Sequence, residues 1–98
     1  MNHSGPIPID AIMLYRRAIE YSSRKNHEAA LKYLNNAVIL APQFTTALCE
    51  MGICYEKLGR FPEALSKFDK VLLIDPSNVE AEKNKNRILE KMGKRSKI

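Results

Sequence analysis

The sequence predicts an all-α fold, a stack of helix pairs closed by one further helix, and three observations carry that prediction. First, the 98-residue chain repeats itself with a period of 34: Leu14 falls on Leu48, Ile19 on Ile53, Tyr21 on Tyr55, Ala30 on Ala64 and Pro42 on Pro76. Where identity is lost, size is kept, since Ala18 meets Gly52, Leu34 meets Phe68, Ala37 meets Val71 and Leu40 meets Ile74. Second, the apolar positions inside each copy recur at i, i+4, i+7, as in Leu14, Ala18, Tyr21 and in Ala30, Leu34, Ala37, which is a helical period. Third, the punctuation is in phase, with Pro42 and Pro76 closing the copies and Gly59 and Gly93 at matching turns. A third copy begins, residues 88–94 lying over 54–60, and has only one helix.

Taken in order, the first helix is expected over residues 11–24, capped by Asp10, with Ile9 and Leu14 placed as a hydrophobic staple. Asn26 caps the second, 27–40, which Pro42 stops because the residue before a proline is pushed out of the helical region. The third, 44–58, carries the Leu48, Gly52, Tyr55 stripe and ends at Gly59, a left-handed position. Pro62 fits the first turn of the fourth, 62–74, and Pro76 follows it. Ser77 and Glu80 read as a capping box for the fifth, 78–92, with Gly93 ending it. The small residues serve packing, because Ala18 or Gly52 facing Ala30 or Ala64 lets paired backbones approach closely.

Hydrophobic residues at 45% and charged residues at 28% are those of an ordinary globular chain. The longest apolar run, 37–42, is too short to span a bilayer and no leader is recognisable, so neither membrane insertion nor secretion is expected. Net charge is +5, and all of it lies in residues 82–98, where Lys83, Lys85, Arg87, Lys91, Lys94, Arg95 and Lys97 outnumber Glu82 and Glu90. That basic end is either a solvated cap or a contact for nucleic acid or another anionic surface. Cys49 and Cys54, five apart on one helix, point in different directions and lack metal-ligand spacing, which fits structural thiols in a reducing cytoplasmic compartment. With His3 and His27 the only histidines and no Gly-rich phosphate loop, no catalytic constellation, metal site or cofactor site assembles, and the chain is expected not to be an enzyme.

The pattern of large residue, leucine, small residue and tyrosine, followed by alanine, aromatic, alanine and proline, resembles the tetratricopeptide repeat. It is plainest in the second copy, where Leu48, Met51, Gly52 and Tyr55 precede Ala64, Phe68, Val71 and Pro76; the first copy keeps the scheme except for Arg17 at the leucine position. The resemblance implies a right-handed superhelical stack. Residues 1–10 would form an N-terminal tail, 11–44 and 45–78 two full repeats, 79–93 a capping helix that is a partial third repeat, and 94–98 a basic tail. It implies a protein-interaction module, an adaptor or scaffold whose concave groove takes a peptide or partner helix.

Beside the packing stripes lie the candidates for that groove: Tyr15, Arg16 and Ile19 on the first helix, Cys49, Glu50 and Ile53 on the third, and Lys83, Asn84 and Arg87 on the fifth. The apolar members either line the groove or fill the seam between successive first helices. With the apolar residues as contact surface and Arg16, Lys83 and Arg87 as cations, the expected ligand has hydrophobic anchors and acidic flanks. One use of the family, clamping the terminal carboxylate of a chaperone tail with lysine, asparagine and arginine, is not expected, because the matching places read Tyr15, Ile19, Glu50, Glu80 and Asn84. A monomer is expected, with weak self-association if Val79, Ile88 and Leu89 are left uncovered at the closing helix.

Overall fold

The computed structural model describes residues 6–96, and side chains as far as residue 93. Five helices follow one another: α1 (Ile9–Ser23), α2 (His27–Leu40), α3 (Thr45–Lys57), α4 (Phe61–Ile74) and α5 (Val79–Ser96). α1 packs on α2 and α3 on α4 as hairpins, while α2 packs on α3 and α4 on α5, so each pair stacks on the next, and α3 also touches α5. Of the expected tails, residues 1–5 and the side chains of Lys94, Arg95 and Lys97 lie outside the described residues.

The two hairpin turns are the same structure. Asn26 N–H donates to the Tyr21 carbonyl and Lys25 N–H to that of Ser22; 34 residues on, Arg60 N–H donates to the Tyr55 carbonyl and Gly59 N–H to that of Glu56. This pairing satisfies the last carbonyls of each helix and requires a left-handed residue after it. Gly59 supplies it at φ 76°, and Lys25 takes the equivalent place at φ 63° although it carries a Cβ. The Asn26 side chain then accepts from Ala29 N–H at 3.2 Å and caps α2 as expected.

Three other boundaries differ from expectation. α1 begins at Ile9 with Pro8 at its N-cap, where fixed φ suits the entry to a helix and a missing N–H costs nothing. Asp10 therefore sits in the first turn, favourable to the helix dipole but not a cap, and Ile9, 70% exposed, makes no staple. α5 is capped by Asn78, whose side-chain oxygen accepts from Ala81 N–H at 2.8 Å. Ser77 instead donates to the Asp75 carboxylate at 3.0 Å, so the capping box does not form. Nor does Gly93 end α5, which runs to Ser96: glycine stops a helix only by turning left-handed, and among the described glycines only Gly59 has a positive φ.

The core follows the repeat. Ala18, Ala30, Leu34 and Ala37 of the first pair and Leu48, Gly52, Ala64, Phe68 and Val71 of the second are buried, joined by Ala81 and Ile88 of α5. Burying each large side chain among them stabilises the fold by about 1.5–3 kcal/mol. Gly52 is the point of closest approach. A Cβ added there would lie 2.5 Å from the tip of the Phe68 ring, so what the absent side chain admits first is an aromatic ring.

Candidate functional site

The candidate residues occupy register-equivalent places on α1, α3 and α5: Tyr15, Cys49 and Lys83 form one row, Arg16, Glu50 and Asn84 a second, Ile19, Ile53 and Arg87 a third. The same period that builds the core therefore repeats these positions from pair to pair. Their exposure divides them. Tyr15, Ile19, Glu50 and Ile53 are half-buried, Arg16, Lys83 and Arg87 exposed, and Cys49 and Asn84 buried. Cys49 and Asn84 are thus covered, leaving Tyr15, Ile19 and Ile53 to present apolar surface. Tyr15 is positioned by the buried Phe44 at the entry to α3, the ring centroids 5.5 Å apart and tilted by 48°.

Charge on this face departs from the expected distribution. Arg87 is a clamp on Glu56 of α3: its Nε and terminal nitrogen donate to the two carboxylate oxygens at 3.0 and 2.7 Å, and Lys91 Nζ adds a third contact at 2.8 Å. The Glu56 side chain is only 7% exposed. The Arg87 hydrogen bonds, opposed by burial and helped by Lys91, hold its carboxyl down to about 2. Arg87 therefore ties α5 to α3 rather than standing free for a ligand, because a two-oxygen acceptor in a poorly hydrated place outcompetes water for a guanidinium fork. Lys85 is likewise engaged, with Asp69 of α4 at 2.8 Å.

Meanwhile the middle of the face is acidic. Glu80 of α5 acts on Glu50 of α3, and both act on Tyr15 and Cys49, which places all four side chains in one electrostatic neighbourhood. Burial and then Glu80 push the Glu50 carboxyl up. Burial, Glu50 and Glu80 raise the Tyr15 hydroxyl in turn. Burial first and the same carboxylates after it push the Cys49 thiol up to about 11, and burial with Glu50 takes Cys54 to about 12. Both thiols stay protonated near neutrality and offer no thiolate.

Sequence reasoning passed over Glu56 and gave Glu80 no part in the site. The signal for Glu56 was an acid on the third helix with two cations one turn apart on the fifth, legible only once those helices are known to touch. Among the described residues no group of three or more His, Cys, Asp or Glu side chains could hold a metal ion, and no helix is long and apolar enough to cross a membrane. The face itself combines half-buried apolar side chains with charged ones.

A tetratricopeptide repeat family model matches residues 17–88. The DnaJ homolog subfamily C member 3 of Mus musculus is 31% identical over 83 residues, 85% of this chain and 16% of that protein. The chain spans about a fifth or less of the length of the curated relatives it matches. Among solved structures, the first repeat domain of Spaghetti (RPAP3) bound to the HSP90 peptide SRMEEVD superposes with a TM-score of 0.81 at 26% identity, covering 85% of this chain and 66% of that one. The second such domain of human RPAP3, in complex with the HSP70 peptide SGPTIEEVD, gives 0.77 at 29% identity over 81% and 66%.

Proposed function

Because the chain belongs to the tetratricopeptide repeat family, we propose that it is a peptide-binding protein-interaction module, and that its ligand lies on the face shared by α1, α3 and α5. The observation that carries this reading is the set of apolar side chains Tyr15, Ile19 and Ile53, the two isoleucines in register with one another, all three left half-buried among the described residues. The two solved neighbours, each bound to a chaperone peptide, support it. Arg16 and Lys83 remain at the rim as partners for acidic flanks of a ligand, whereas Arg87 does not.

A carboxylate-terminated chaperone tail is a poor fit in this reading. Glu50 and Glu80 stand on the face where such a ligand would need cations or amides, and like charge there costs affinity. Binding of the SRMEEVD peptide is accordingly expected to be much weaker than that of peptides selected on this protein from a displayed library. Location in the cytosol belongs to the same proposal, supported by two buried, protonated thiols that suit a reducing compartment.

The test is to map selected peptides by amide chemical shifts. They should perturb Tyr15, Ile19 and Ile53, and Ile19→Ala should weaken them about tenfold while helicity is unchanged. Ile53→Ala and Tyr15→Ala should do the same at some cost in stability, since both rest against the core. Peptides that map elsewhere, or an association only with nucleic acid that falls roughly as one power of salt per phosphate contact, would instead favour the basic end. That alternative is weakened by Lys85, Arg87 and Lys91, already committed to Asp69 and Glu56.

A further inference from the structure

We infer that the central position of this docking face selects a lysine or arginine side chain, so that the ligand is a segment with apolar anchors on either side of one basic residue. The inference rests on the peptide-docking reading above and deepens it by naming the chemistry of the middle subsite.

Three features converge there. Tyr15 from α1 presents a partly exposed aromatic side chain, backed by Phe44. Ile53 from α3 presents aliphatic surface one turn beyond Glu50. Glu50 from α3 and Glu80 from α5 bring two negative charges to the same neighbourhood as the ring.

Neither carboxylate is ion-paired among the described residues, although the other acids of α3 and α4 facing α5 are: Glu56 holds Arg87 and Lys91, and Asp69 holds Lys85. Lys83, one turn along α5 from Glu80, makes no ion pair with it. Among the described residues, the face thus keeps two carboxylates without an ion pair near an aromatic ring and an aliphatic side chain.

A basic side chain answers all of these at once. Its methylene stem lies against apolar surface, its charged head reaches a carboxylate, and a cation near an aromatic face gains further attraction. An acidic or carboxylate-terminated ligand at the same place meets like charge, and a purely apolar one leaves the two carboxylates with less water and no partner.

The experiment uses end-blocked, amidated peptides that share leucine anchors and differ only in the residue between them: lysine, glutamine or glutamate. Each is titrated into the isotopically labelled full chain and followed by amide shifts, a readout that reaches weak binding. The lysine peptide should bind about tenfold tighter than the glutamate peptide, with glutamine between, and should shift Tyr15, Glu50, Ile53 and Glu80 most.

In the doubly neutralised chain, Glu50→Gln with Glu80→Gln, that preference should vanish, the three peptides binding within about twofold of one another, while the helical circular dichroism is unchanged. Equal affinities for the three peptides, or a lysine preference that survives the double replacement, overturns the inference alone, provided the glutamine peptide still binds and loses affinity in Ile19→Ala. Failure of all three peptides to shift any residue of this face overturns the docking reading and the inference together.

Discussion

At the scale of single residues, the molecule shows two places where one atom decides. Gly52 exists to admit the Phe68 ring, and since a Cβ there would fall within 2.5–2.8 Å of three ring atoms, something must move to accept it. Phe68 is fully buried, so moving its ring displaces packed neighbours. Gly52→Ala should therefore cost about 1–3 kcal/mol despite the better helix propensity of alanine, read as a lowered melting temperature; an unchanged or raised melt would mean that the ring has room to retreat.

Glu50 is the converse case, a residue kept at the expense of stability. Its folded-state carboxyl is raised above the ordinary value by burial and by Glu80. A raised acid contributes stability when protonated, below its unfolded value, and loses that contribution as pH rises through the folded one. Glu50→Gln should thus melt slightly higher at neutral pH, by about 0.5 kcal/mol, and binding sites commonly carry such a cost. A drop in stability would show that Glu50 has a partner the charge pattern conceals.

At the scale of elements, capping and cross-helix pairing set where helices begin and how the last one is held. The Asn78 side chain accepts the Ala81 N–H, whereas Ser77 bonds only to Asp75. Asn78→Ala should cost about 1 kcal/mol in chemical denaturation and Ser77→Ala about half of that or less. The reverse order would restore the capping box.

α5 is further secured to α3 through Glu56. Arg87 chiefly, and Lys91 after it, hold that carboxyl down to about 2 against an ordinary 4.5. A depressed acid stabilises the fold above its unfolded value and loses that effect as pH falls through the folded one. The wild-type chain should lose stability between about pH 4.5 and 2, and Glu56→Gln should flatten that slope while costing about 1–3 kcal/mol at neutral pH, since it leaves two cations without their acceptor. An identical slope in both chains would remove the clamp from the account.

At the scale of the whole molecule, the stack measures 47 × 34 × 17 Å and has two exposed ends. Along α5 the chemistry of the repeat changes: Glu82 and Asn86 stand at the register of Leu14 and Leu48, and of Ala18 and Gly52, in the earlier copies. Charged and amide groups there keep that side of α5 hydrated. Val79 and Leu89 stay exposed beside them, 70% and 45%, but apart from Ile88, which is fully buried. Two scattered side chains do not make the contiguous apolar patch that a stable dimer needs. Sedimentation at micromolar concentration should therefore give a monomer, and a tight dimer would show that this end is an interface.

The number of helices, their pairing and most of the buried positions were legible in the sequence, because a 34-residue period combined with a 3.6-residue one states which face of each segment is hidden and which segments are equivalent. Asn26, Gly59 and Pro62 could be read as well, since each acts on its immediate neighbours through backbone geometry alone. Local rules failed where two of them competed: Ser77 and Asn78 both suit a cap and Asp75 draws the serine away, while Gly93 permits a stop without imposing one. The charge of the proposed docking face was decided only by tertiary structure. Arg87 looks like a free cation until α3 brings Glu56 against it 31 residues away, and Glu50 and Glu80 look like ordinary surface acids until two helices set them beside Tyr15. Periodicity is a one-dimensional property and survives in the sequence; charge compensation depends on distances of a few ångström between residues far apart in the chain, and those exist only once the helices have packed.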